Sequence, residues 1–248
     1  MIEWHKAIKL PRILTHEEKY AMSTRDIQSW ASEASKFIVK DFPSQEQDAI
    51  LSLSSTMKAS ALGGEALMEE MRDVKAFLRV QFGMASSIDK RIVGDIQLDT
   101  LRSWTIAMRF FIEHAKLIQI ILKRKLGDKI TAYMMKFYDR EERLELFEEG
   151  GKVTFNSLLF QSTSSNPRAI SRFGNTLFVL EIPTDCVYAD SRISPLFIDS
   201  VESEIFVICK EQITGRAVPN NLDKLFWKLS DEDYPKTIDD LEVIELPR

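Results

Sequence analysis

Two short runs in the second half of the chain carry residue types at a spacing that can do chemistry. Ser162-Thr163-Ser164 lines up three hydroxyls, and Glu202-Ser203-Glu204 sets two carboxylates two positions apart. Side chains alternate across a strand, so two glutamates at i and i+2 of a strand start share one face. Carboxylates held there can stabilise a developing cation, as in the oxocarbenium-like transition states of glycoside hydrolysis, or hold and deprotonate a guanidinium. Taken singly, each run also has a plainer reading: a hydroxyl-rich turn for the first, a solvated strand start for the second.

Several common chemistries have no sequence basis. His5, His16 and His114 stand apart, without HExxH or Cys/His spacing, so no metal site is expected. There is no GxxxxGK[ST] phosphate loop, no GxGxxG after a strand and no GxSxG elbow. Cys186 and Cys209 are too few for a disulfide framework and read as buried thiols.

The segment VTFNSLLFQSTSSNP, residues 153–167, resembles the second block of the mono-ADP-ribosyltransferases, in which an aromatic-rich strand runs into Ser-Thr-Ser. Downstream, VESEIFV, residues 201–207, resembles that family's Glu-x-Glu block, with Phe173 and a strand-like run between the two. The resemblance covers roughly residues 120–210 and is of the Arg-Ser-Glu, bacterial toxin or effector type. It implies that NAD is bound and its nicotinamide–ribose bond broken. By the same resemblance Glu204 bonds the ribose 2′-hydroxyl and Ser162 positions Glu204, with Thr163, Ser164 and Tyr133 around the dinucleotide. Glu202 is then the carboxylate associated with arginine as acceptor. Ser162 and Glu204 are accordingly expected side by side on adjacent strands facing one cleft.

The first block of the family departs here. Its Tyr-Arg pair grips the NAD phosphates and ribose, whereas this chain reads Tyr133-Met134. Lys136, Arg140, Arg168 or Arg172 is expected to supply the missing charge, Arg168 and Arg172 from the connection after Ser-Thr-Ser. The segment 191–201, with Pro195, Leu196 and Phe197, stands where the family has its acceptor-recognition loop, and its apolar residues either meet a partner or tuck into the core.

The elements that must position these residues fall into two halves. Ile27, Trp30, Ala31, Ala34, Phe37 and Ile38 recur at helical spacing over 26–40. Ser44 and Gln47 after Pro43 have the form of a capping box opening a second helix that stops near Gly63 and Gly64. A third helix carries Leu67, Met71, Val74, Phe77 and Leu78 and ends at Gly83, and the longest stretch, 98–126, stops at Gly127. Beyond Gly127 come strand-like runs at 130–137, 153–160, 176–182 and 205–209, with a last short strand at 241–246. Gly150, Gly151, Ser165, Asn166, Pro167, Gly174, Asn175 and Gly215 read as connections.

Composition fits this outline. A hydrophobic share of 44% and a charged share of 29% are those of an ordinary globular protein. At a net charge of −5, with the densest basic cluster, Lys123, Arg124 and Lys125, at a helix end, nucleic acid is not an expected partner. The longest apolar stretch, 117–122, is far below the ~20 residues that span a bilayer. The first eleven residues lack a secretory core, so the expected location is the cytoplasm, or a host cell reached without a classical signal. The expected protein is α+β: a helical region, 1–127, packed on a split, mainly antiparallel β core of ADP-ribosyltransferase type, 128–248. Its expected function is transfer of ADP-ribose from NAD to a target protein's side chain, arginine by the resemblance. The alternative is a catalytically inactive relative that binds a partner protein.

Overall fold

A computed structural model describes residues 44–59, 65–194, 196–198 and 201–218. The helix read over 26–40 and the strand read over 241–246 lie outside the described residues.

Among the described residues, five α-helices make up the part of the helical half that is described and one later insertion. α1 (Ser44–Ala59) buries Ile50, Leu53 and Met57 at helical spacing. α2 (Glu65–Gln81) buries Met71, Val74, Phe77 and Leu78, and Gly83 ends the turn after it at φ +66°. α3 (Ser87–Asp95) opens on a capping box between Ser86 and Asp89. α4 (Leu98–Leu126) is 29 residues long, about 43 Å at 1.5 Å per residue, and Gly127 takes a left-handed φ of +82° at its end. α5 (Arg140–Glu148) follows the first strand and opens on a capping box between Asp139 and Glu142. Neither α3 nor α5 was legible from apolar periodicity, since α3 is nine residues long and α5 buries no residue.

The strands are β1 (Lys129–Lys136), β2 (Lys152–Phe155), β3 (Leu158–Ser164), β4 (Thr176–Pro183), β5 (Val187–Asp190), β6 (Glu204–Cys209) and β7 (Ile213–Val218). They form one sheet, ordered β2-β7-β4-β1-β3-β6-β5, in which the paired strands run antiparallel. The protein is thus α+β with a mainly antiparallel sheet. The single strand expected over 153–160 is two strands, broken at Asn156 and Ser157, that pair with different partners: β2 with β7, β3 with β1 and β6. Asn and Ser favour turns because their side chains bond nearby backbone. Gly215 is a second correction, since it lies inside β7 rather than in a turn. A Cβ there would come within 2.5 Å of Leu180 Cδ2 and 3.1 Å of the Val179 carbonyl, so close approach rather than turning requires glycine.

Each face of the sheet has its own core. On one, Ile130, Ala132, Met134, Phe178, Ile205 and Val207 pack against Ile118, Ile121 and Leu122 of α4. On the other, Phe160, Phe206 and Ile208 pack with α1, α2 and the first half of α4. Phe111 sits at the centre of this second core, with ring centroids 5.1 Å from Phe197, 5.6 Å from Tyr188 and 6.1 Å from Phe206. α4 therefore serves as a spine common to both cores. Cys209 is buried, with the half-buried Cys186 thiol hydrogen-bonded beside it; both cysteines are free, and burial followed by that contact raises the Cys186 thiol pKa.

Candidate functional site

Where the second core opens to solvent, a cleft of about 570 Å³ lies between the sheet and α2. The sheet side carries Ser162, Thr163, Glu202, Glu204 and Phe206; the helix side carries Met68, Met71, Arg72, Lys75 and Arg79. Its volume falls within the roughly 300–1,000 Å³ of small-molecule and cofactor sites.

The Ser-Thr-Ser run builds the sheet wall, with the labour divided differently from the expectation. β3 pairs with β6 so that Ser164 stands directly across from Glu204, and Ser162 across from Phe206. Ser162 is therefore a diagonal neighbour of Glu204, exposed in the same cleft, and Ser164 takes the adjacent place expected of Ser162. The reason is register: Glu204 is the first residue of β6 and meets the last residue of β3. Thr163 Oγ1 donates to the Ile205 carbonyl at 2.9 Å. Fully buried Ser164 Oγ donates to the Glu202 carbonyl at 2.7 Å and accepts from the Asn166 N–H at 2.9 Å.

These bonds hold an unfavourable backbone. Ser203, between the two glutamates, has φ +50°, a left-handed conformation that costs a non-glycine residue roughly 1–2 kcal/mol. Its carbonyl accepts from the Ser165 N–H at 2.9 Å and from the hydroxyls of Ser164 and Ser165 at 3.2 Å each. The kink lets Glu202, in the turn, and Glu204, on the strand, line the same cleft, each 5% exposed. Phe160 and Phe197, which also line it, have φ of +52° and +68°. Among the described residues these three are the non-glycine positions with positive φ, and such strain clusters at ligand and active sites.

Glu202 already holds a guanidinium. Arg172 Nη2 is 2.6 Å from Glu202 Oε1, and the Arg172 guanidinium lies 4.8 Å from the Phe173 ring centre. The Arg172 side chain remains 65% exposed, so this carboxylate has a partner that can leave. Of the four cations expected to supply charge, Arg172 reaches the cleft. Lys136 instead stands 4.7 Å over the ring of Phe155, and Arg140 lines a separate hollow with Tyr138 and Phe147. Arg168 lies in the loop after β3, its N–H bonded to Asn166 Oδ1 at 3.0 Å. Tyr133 is buried across from Ser164, packed on Ile170 and Leu177, and Met134 is 3% exposed within the core. In the segment read as an acceptor loop, Phe197 is 1% exposed with its N–H on Ser54 Oγ at 2.9 Å, and Leu196 packs half-buried on the same core.

The helix wall was not singled out from the sequence. Arg72, Lys75 and Arg79 recur at steps of three and four, which puts them on one face of α2 beside Met68 and Met71. Arg79 pairs with Asp89 at 3.4 Å, and Arg72 with Asp73 at 3.3 Å. Burial works to raise the Asp89 pKa, but bonds from Ser86 and the Arg79 charge outweigh it and hold the carboxyl below its ordinary range.

No protein-family model, curated protein or solved structure matches this chain. Among the described residues no cluster of His, Cys, Asp and Glu could hold a metal ion, and no helix is long and apolar enough to cross a membrane.

Proposed function

We propose that this chain is a mono-ADP-ribosyltransferase that moves ADP-ribose from NAD to an arginine of a target protein, in the cytoplasm or in a host cell, and that its sheet is a core of that enzyme type. The observation that carries the reading is the pair of buried glutamates on one cleft wall, braced by the Ser-Thr-Ser hydroxyls, with a guanidinium already seated on one of them. NAD fits the cleft chemically: apolar Met and Phe surface for flat rings, carboxylates for a cationic ribosyl group, cations for a diphosphate.

In the reaction the nicotinamide–ribose bond breaks with its electron pair leaving on nicotinamide, and an acceptor nitrogen bonds the same ribose carbon. Glu204 stabilises the positive charge that builds on the ribose between those events. Glu202 orients the acceptor guanidinium and takes the proton it loses. Arg172 occupies that seat in the resting protein, so an incoming arginine displaces it. Ser164 and Thr163 keep both carboxylates aimed, and Ser162 faces the cleft as a free hydroxyl donor.

A second reading, partner binding without catalysis, is favoured by Met134. β1 presents no arginine in the place where the resemblance puts one: Met134, packed in the core, brings only an apolar side chain to the cleft there. Labelled NAD incubated with the protein and a cell lysate separates the two, because only a transferase leaves label covalently attached. Glu204→Gln should abolish NAD cleavage and leave NAD affinity nearly unchanged. Glu202→Gln should suppress transfer to arginine and spare slow hydrolysis, since water needs no guanidinium holder. Wild type and both variants all silent towards NAD would leave partner binding as the better account.

A further inference from the structure

Lys75 is the one cleft cation whose surroundings call for a ligand. It lies half-buried on α2 between Arg72 and Arg79, and among the described residues no hydrogen bond or ion pair holds its ammonium. Each neighbouring arginine has a carboxylate of its own, Asp73 or Asp89. Burial first, and then the Arg79 guanidinium, push the Lys75 pKa below its ordinary value. Partly desolvating an ammonium beside another cation costs folding free energy, and no bond from the described residues offsets that cost. Such an arrangement is what an anion site looks like without its anion.

The opposite wall fixes which anion. Glu202 and Glu204 line the same cleft and repel any ligand that is negative throughout. The occupant must be anionic towards α2, able to carry positive charge towards β6, and flat and apolar enough for Met57, Met71, Phe160, Phe173 and Phe206 between them. A dinucleotide with a central diphosphate and a cationic ring meets all three demands.

We propose that Lys75, with Arg72 and Arg79 beside it, forms the subsite for the diphosphate of a dinucleotide on the α2 wall of the cleft. The proposal rests on the NAD reading above and places the phosphate-binding charge on the helical region rather than on β1 or the loop after β3. Arg79 is fixed by Asp89 at the start of α3, so the subsite is tied to the α2–α3 corner and is in place before ligand arrives.

Calorimetric titration of the intact chain with ADP-ribose, inorganic pyrophosphate and adenosine tests this. Wild type should bind ADP-ribose, and Lys75→Met should weaken it about tenfold or more, the scale of a lost charge-assisted bond. Lys75→Arg should restore most of the loss, and adenosine should bind both proteins alike. Lys75→Met should also melt no lower than wild type, because it removes an ammonium without a partner among the described residues and keeps the apolar stem; a purely structural lysine would melt lower. Equal ADP-ribose affinity in wild type and Lys75→Met overturns the subsite. So does pyrophosphate binding as tightly as ADP-ribose, which would make the site one for small phosphates. Failure of the two ideas is distinguishable: Lys75-dependent ADP-ribose binding without NAD cleavage keeps the subsite and removes the transferase, whereas cleavage with an unchanged KM in Lys75→Met does the reverse.

Discussion

The hydroxyls of Ser162 and Ser164 are two positions apart and have different work, and single substitutions should separate them. Ser164 Oγ is fully buried and ties together the Glu202 carbonyl, the Ser203 carbonyl and the Asn166 N–H. Replacing it by alanine removes the hydroxyl from the Glu202 carbonyl and leaves the left-handed Ser203 held by Ser165 alone, so Ser164→Ala should cost about 1–3 kcal/mol in urea denaturation. Ser162 is exposed in the cleft, and Ser162→Ala should shift stability by less than about 0.5 kcal/mol. Any effect of Ser162→Ala should fall on ligand binding or turnover instead. Equal stability losses in the two variants would mean that Ser164 is not the brace. The family resemblance brings the hydroxyl run to the glutamate pair and expects Ser162 beside Glu204, where the pairing of β3 with β6 sets Ser164. Register decides that, and it depends on where β6 begins, which the Glu-Ser-Glu run by itself does not reveal.

At the scale of elements, legibility followed length and periodicity. The helix 98–126 was readable to its ends because its apolar stripe runs through many turns and Gly127 closes it. β1, β4 and β6 were readable from apolar, β-branched runs. β5 is too short, at four residues, to show an alternating pattern, and β7 carries Gly215 in its interior, where propensity argues against a strand. The cation wall of α2 was missed for another reason: charged residues on a helix are ordinarily its solvated face, and only the closing of the sheet beneath makes this face a cleft wall. The end of β4 offers a test of how rigidly the elements dock. A Cβ at Gly174 would lie 2.6–2.7 Å from the backbone N, O and C of Lys136, atoms that no rotamer change can move. The next residue joins the same place, Asn175 N–H donating to the Lys136 carbonyl at 3.0 Å. Gly174→Ala should therefore cost about 3 kcal/mol, the upper end for overpacking, read as a lower denaturant midpoint with an unchanged slope. A loss below about 1 kcal/mol would show that the β1–β4 corner yields.

For the whole molecule, an α4 spine that runs through both cores predicts one cooperative unit, and His114 sits on it against aromatic rings of the second core. Phe110 and Phe197 flank the ring at centroid distances of 6.1 and 5.7 Å, exposure is 1%, and neither ring nitrogen has a hydrogen-bond partner among the described residues. Burial pushes its pKa down to about 4, from an ordinary 6.5. The folded pKa is the lower one, so between these values the unfolded chain takes up a proton that the native state refuses. Stability is then undiminished above pH 6.5 and falls as the pH drops towards 4, by roughly 3 kcal/mol for a depression of this size. His114→Leu removes the titration and two buried polar atoms at similar volume. Its urea midpoint should fall less than that of wild type between pH 7 and pH 4.5, while at pH 7 it should be at least as stable. Because α4 supports both cores, the loss should register equally in the fluorescence of Trp104 in the helix-side core, read with Trp4, Trp30 and Trp227 replaced by Phe, and in sheet circular dichroism. Parallel pH profiles for wild type and His114→Leu would assign the acid sensitivity to other groups. Separate transitions by the two probes would instead mean that the cores unfold apart and that α4 is no common spine.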